Sequence, residues 1–352
     1  MPALVMSGAR NSTLVPQEWW FGNKDGSSAV NHLNLLQPGM TLEEIQETMG
    51  LKFEALISRL VRETDNEATN HWQIYRSDNG KTLWAGEQTT KPYATQPMEI
   101  LEFLDHVRAE TDGDWLTGLV LKGGKIAAQI RLGDEYQIAE DVIIPNLLMT
   151  YDYSSQSGQA KNCQTTCVCA NTVAMGLGER LGYNCTYSSL DKKAKDTILE
   201  GLKIGEVKAK KYRETMERAH SVPCDLDGAD VLTFASICDD LPLLDRCIAA
   251  SGKDGLLAII EENRKRGAIR TFESASKQAR MVYGAVNAES ASPGQSQRGN
   301  NWYAVHQGLT QYVSNVAGRD AETRIDSGLF GPRALMVEKS VSLLDRILDL
   351  VE

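Results

Sequence analysis

Apolar residues recur along this chain with two different periods, and the switch between them orders the elements it predicts. Leu42, Ile45, Met49 and Leu51 follow Met40-Thr41 at helical spacing, with Thr41 placed to cap the helix and Glu44 three residues on. Two β-hairpins are expected next. Asn79-Gly80 is a type I′ turn signal between residues 72–78 and 81–86. Gly123-Gly124 joins 116–122 to 125–132. With those glycines as a two-residue turn, Lys122 faces Lys125, Leu121 faces Ile126 and Leu119 faces Ala128. One face then carries Leu119, Leu121, Ile126, Ala128, Ile130 and Leu132, and the other Lys122, Lys125, Gln129 and Arg131. Between the hairpins, 97–109 reads as a helix whose apolar stripe is Met98, Leu101, Leu104 and His106 or Val107. A mostly apolar strand follows at 142–151, where Pro145 argues for an edge or a bulge. Residues 163–175 read as a further β-rich or mixed piece.

From Leu190 onward the period becomes helical. Ile198, Leu202, Ala209, Tyr212 and Met216 lie among many Lys and Glu in 191–218. Shorter helices are expected at 241–250, 256–266 and 273–286, an amphipathic one at 302–316, and a last one at 334–350. Residues 287–301 are rich in Ser, Gln, Gly and Asn and read as a flexible loop. The expected fold class is α+β: an antiparallel sheet built from two hairpins with packed helices, followed by a mainly helical C-terminal half. The organisation expected is a mixed segment over 1–70, an α+β core over 71–220 and a helical region over 221–352.

Composition narrows the class. At 352 residues with 42% hydrophobic and 24% charged, the chain can bury a core and is not of disordered type. No run approaches the ~20 apolar residues that span a bilayer, and residues 1–10 do not pattern as a signal peptide, so no membrane partner is expected. Seven Cys, an odd number in a chain too large to need staples, fit reduced thiols and a cytoplasmic location. A net charge of -10 suits nonspecific duplex DNA binding poorly but allows a local basic groove.

Common catalytic signatures fail. Gly124 stands where a phosphate loop needs its lysine, Gly176-Leu177-Gly178 lacks the third glycine of a dinucleotide fingerprint, and neither His-Glu-x-x-His nor Gly-x-Ser-x-Gly occurs. Cys163, Cys167 and Cys169 are spaced C-x3-C-x-C, unlike the paired spacing of structural zinc. They read as buried thiols, with a metal site or a reactive thiol as alternatives. The five His are scattered and read as structural or surface residues. No cofactor, metal or catalytic residue is assigned. The basic residues carry more information. Residues 118–131 hold Lys122, Lys125 and Arg131 and no acid, and 180–218 hold ten basic and six acidic residues. These are either solvated charge or a track for a phosphate backbone. On the second reading Arg76 and Lys161 join the phosphate contacts, and Tyr93, with Trp84, Tyr151 and Tyr153, offers rings for single-strand bases to stack on.

Short segments in order along residues 20–345 resemble a family of phage/plasmid-like proteins of mobile elements. They are Gly39-Met40-Thr41-Leu42-Glu43-Glu44 with Gly50-Leu51, Tyr75-Arg76-Ser77-Asp78-Asn79-Gly80, and Lys91-Pro92-Tyr93 with Phe103-Leu104-Asp105. Further on come Gly118 to Gly124, Cys169-Ala170-Asn171-Thr172, Asn301-Trp302-Tyr303-Ala304-Val305, Thr310-Gln311-Tyr312-Val313 and Leu329-Phe330-Gly331. Thr166 stands where the family often has Arg, and 153–158 replace its usual Gly-Ser-x-Ala stretch. The element order is also similar to that of Rad52-like single-strand annealing proteins. The resemblance implies a phage or plasmid protein in the cytoplasm of a bacterial host. It further implies a protein that binds or anneals single-stranded DNA in recombination or replication without hydrolysing nucleotides, often as a homo-oligomer. Two other readings stand beside it: a non-catalytic protein-interaction or host-takeover factor with a host or phage partner, and an enzyme with a site around Cys167 to Asn171.

Overall fold

The structure is a computed structural model. It describes strands at 4–6 and 14–16, residues 34–36, 39–121, 124–138 and 141–166, the backbone of 175–176 and 181–184, and residues 207, 209–224, 301–311, 313 and 332–351. The helices expected at 241–250, 256–266 and 273–286, almost all of the 287–301 loop, and Lys122, Cys167, Cys169 and Asn171 lie outside the described residues.

The fold is α+β. Strands β1 (Leu4–Met6) and β2 (Leu14–Pro16) form a two-stranded ribbon. After β3 (Asn34–Leu35), α1 (Leu42–Thr48) starts at Thr41, whose hydroxyl accepts from the Glu44 N–H while the Glu44 carboxylate accepts from the Thr41 N–H. This reciprocal cap was legible in the sequence. Strands β4 (Ala55–Val61), β5 (Ala68–Arg76) and β6 (Thr82–Glu87) form a three-stranded antiparallel sheet. The break expected at residue 70 therefore falls inside one sheet. Helix α2 (Pro97–Glu110) buries Ile100, Leu101, Phe103, Leu104 and Val107, while His106 faces outward.

The large sheet follows: β7 (Asp114–Leu121), β8 (Lys125–Arg131), β9 (Tyr136–Ile138), β10 (Asp141–Asp152), β11 (Ser157–Thr166), β12 (Met175–Gly176) and β13 (Leu181–Asn184). Its order is β12-β11-β10-β8-β7-β3, with β13 also on β11 and β9 also on β10. Pro145 sits in a central strand rather than at an edge. Its missing donor is accommodated because β9 pairs only with 141–143 and β8 only with 146–152, so Pro145 falls in the gap between them.

Both hairpin turns differ from expectation. Lys125 pairs with Leu121 and Ile126 with Val120, so the second turn takes three residues and the cross-strand pairs shift by one. Lys125 does not face Lys122, and Ile126 does not face Leu121. Gly124 adopts φ +81°, which one glycine of a three-residue turn requires. In the first hairpin the strands close at Arg76 and Lys81, where the Arg76 N–H donates to the Lys81 carbonyl. Of Asn79-Gly80 only Gly80 has positive φ, so the turn is not type I′, which needs both.

The main core lies on one face of the large sheet. Ile126, Ala128, Ile130, Leu147, Met149 and Tyr151 pack there with α1, α2, Ile74 and Leu83. The opposite face carries Gln129, Arg131, Asn146, Thr150 and Lys161, all buried. Over the C-terminal part run α3 (209–221), α4 (Trp302–Gln311) and α5 (Pro332–Val351). Val337, Leu343, Leu344, Ile347 and Leu348 of α5 are buried, which anchors that helix firmly. Tyr303 of α4 donates from its hydroxyl to Asp141 at 2.7 Å, and the α5 carboxylates Asp345 and Asp349 hold Lys211, Thr215 and Arg218 of α3.

Candidate functional site

The alternation that marks β8 as polar on one side is real, but that side faces protein. Arg131 is 6% exposed. Its Nε donates to the Gly133 carbonyl at 3.0 Å, and Nη2 lies 3.9 Å from Glu135. Lys161, on β11, is 5% exposed and forms an ion pair with Glu338 of α5. Leu148 sits between Gln129 and Lys161 in register, and Asn146 between Arg131 and Cys163, so these polar side chains share one buried layer. Burial pushes the Cys163 thiol up to about 12 despite the nearby Lys161, which leaves it protonated and unreactive at neutral pH. Its role is core, as one reading of the cysteine spacing expected.

The other candidates also meet carboxylates within the chain. Lys125 lies 3.9 Å from Asp152 at the end of the same sheet. Arg76 donates to both oxygens of Asp78 at 2.9 and 2.7 Å and stacks 4.1 Å from the Phe53 ring centroid; the guanidinium holds the Asp78 carboxyl below its usual range. Tyr93 is half-buried and donates from its hydroxyl to Glu99. Lys122 is outside the described residues. The structure brings Lys125, Arg131 and Lys161 to one sheet face and leaves Arg76 and Tyr93 elsewhere. Two of the expected stacking rings are core: Tyr151 and Tyr153 are fully buried, edge to face, and both hydroxyls donate to Thr95. Trp84 is half-buried against the core. Among the described residues, no group of three His, Cys, Asp or Glu is placed to hold a metal.

An open site is lined by none of these candidates. A groove of about 390 Å³ runs beside β4, lined by Gln46 of α1, the strand residues Ala55 and Leu56 with Phe53 and Glu54 before them, and Gln96, Pro97 and Met98 at the start of α2. Pro97 opens α2, where its missing N–H costs nothing, and the Gln96 N–H donates to Glu99 at 2.7 Å. That geometry points the Gln96 amide at Ala55. The strand signal for β4 was present in the apolar, β-branched run Leu56-Ile57 to Leu60-Val61.

No protein-family model, no curated protein and no solved structure matches this chain. Among the described residues, no helix is long and apolar enough to cross a membrane.

Proposed function

We propose that this chain is a non-catalytic protein-binding factor, of the mobile-element kind its sequence resembles. The observation that carries this reading is the pairing of the candidate cations. Arg76, Lys125, Arg131 and Lys161 each lie within 4 Å of a carboxylate of the same chain, and two of them are buried. Single-strand binding needs cations turned to solvent, where they replace the counterions of a phosphate backbone. Here that role within the sheet is taken by Asp152, Glu135 and Glu338. The net charge of -10 works in the same direction. The β4 groove, by contrast, is open and lined by apolar and amide groups with one carboxylate, Glu54, a composition suited to protein contact.

The test is a titration of labelled oligo-dT with the full chain at low and rising ionic strength, alongside affinity capture from a phage- or plasmid-bearing host. The expected outcome is no salt-dependent DNA binding and a reproducible protein partner. Tight binding whose logarithm falls linearly with the logarithm of salt concentration would overturn the reading in favour of a single-strand-binding protein.

A further inference from the structure

Strand β4 has β5 on one side and, among the described residues, no strand on the other. Its hydrogen-bonding phase is fixed at its start. Glu54 turns its backbone toward β5: its N–H donates to the Ser77 hydroxyl, and its carbonyl accepts from the Ser77 N–H, both at 2.9 Å. Ala55 turns the opposite way. Its N–H donates to the Gln96 side-chain carbonyl at 3.0 Å, and its own carbonyl accepts from the Gln96 amide nitrogen at 3.1 Å. Gln96 thus makes, for one residue, both bonds that a neighbouring strand would make. Alternation along an antiparallel strand then aims the N–H and C=O of Ile57 and Arg59 to the same outer side.

The groove lies on that side. Its apolar walls are Phe53, Leu56, Pro97 and Met98. Glu54 lines it, and helical spacing puts Glu43, three residues before Gln46 on α1, and Glu102, four residues after Met98 on α2, on the same helix faces as those lining residues; all three are exposed. Lys52 is held on Glu47 and Arg76 on Asp78, while Arg59 of β4 itself donates to the Thr69 carbonyl and the Asn70 amide oxygen and lies over the Trp72 ring. A strand edge and carboxylates that have no strand and no ion pair beside them among the described residues therefore adjoin an apolar slot.

We propose that β4 takes an extended segment of a partner protein as an added strand. An apolar side chain of that segment enters the slot, and its Lys or Arg residues face Glu43, Glu54 and Glu102. This rests on the protein-binding reading above and gives it a site and a partner chemistry. Main-chain bonds to Ile57 and Arg59 supply the pairing, the slot selects one side chain, and Gln96 marks where the added strand ends.

Short random peptides displayed on phage, panned on the immobilised full chain, test this. Enriched sequences are expected to alternate apolar residues at every second position and to carry Lys or Arg. A selected peptide is then followed by fluorescence anisotropy. Methylating its backbone nitrogens at alternate residues should weaken binding about tenfold in one phase and little in the other, because only one phase faces β4. The double change Glu54→Lys with Glu102→Lys, at exposed positions that spare folding, should weaken it severalfold. Enrichment of acidic or helically spaced sequences, no enrichment at all, or indifference to both methylation phases and to the charge reversal would overturn the proposal. Self-association of the chain in sedimentation that protects the Ile57 and Arg59 amides would also overturn it, because a second copy would then occupy the edge. The oligo-dT titration separates the two levels. Salt-dependent DNA binding removes the protein-binding reading itself. A failed peptide selection with a chain inert to DNA removes only β4 as its site.

Discussion

The layer formed by Arg131, Asn146 and Lys161 and the outer edge of β4 are opposites. The first is rich in charge yet closed, because Glu338 of a helix anchored by Leu344 and Leu348 lies on it. The second carries its charge on exposed side chains such as Glu54 and lies open, with backbone bonding groups at its margin. Side-chain type therefore misleads about where a partner can reach this molecule. What decides is whether each polar group already has a partner within the chain.

Substitutions in the closed layer should produce the largest effects. Glu338→Ala leaves the buried Lys161 ammonium without its carboxylate and should cost about 3 kcal/mol in urea unfolding. The double change Lys161→Met with Glu338→Leu should recover to within about 1 kcal/mol of the parent, because a well-packed apolar pair replaces a buried ionic one at little cost. If Glu338→Ala proves neutral, the layer is wetter and more open than described.

The interface of α4 with α5 should respond to pH. His306 is fully buried beside the Ser340 hydroxyl, and burial lowers it to about 3 from an ordinary 6.5. The folded value lies below the unfolded one, so the unfolded chain binds the proton first. Stability is full above 6.5 and falls as pH drops through the window toward 3. The loss should reach about 2 kcal/mol near pH 5, and His306→Gln should remove that slope from the unfolding curve.

Two glycines sharpen the same contrast at smaller scale. A Cβ on Gly113 would lie 2.6 Å from the Arg131 carbonyl oxygen, a backbone atom of the closed sheet, so Gly113→Ala should cost about 1.5 kcal/mol. A Cβ on Gly86 would lie equally close to the Trp84 ring, but that ring is half-buried and can shift, so Gly86→Ala should lower the melting temperature less. Gln96→Ala should cost about 1 kcal/mol, since the Ala55 groups it releases can take water from the groove.

Local features were legible in the sequence and long-range ones were not. The Thr41 cap, the α2 stripe, the two-faced character of β8 and the C-terminal helix follow from short-range spacing and recur in the structure. The cross-strand pairs of the Gly123-Gly124 hairpin did not follow, because Gly-Gly fits a two- or a three-residue turn equally and one residue reverses the pairing. The burial of Lys161 could not be read either. Its partner lies 177 residues away, and nothing local marks a lysine as internal. The β4 edge escaped notice for a related reason: Gln96 and Ala55 are 41 residues apart, and an amide that imitates a strand has no sequence signature.

Residue-resolved hydrogen exchange on the free chain tests the central contrast most directly. The Ile57 and Arg59 amides should exchange nearly unprotected while Leu56 and Ser58, turned toward β5, are slowed. The amides of Asn146 and Leu148, paired within the large sheet, should open only with global unfolding. Equal protection along β4 would mean that its outer edge is covered. Ready exchange across the centre of β10 would mean that the layer under α5 opens, and either result would contradict the account.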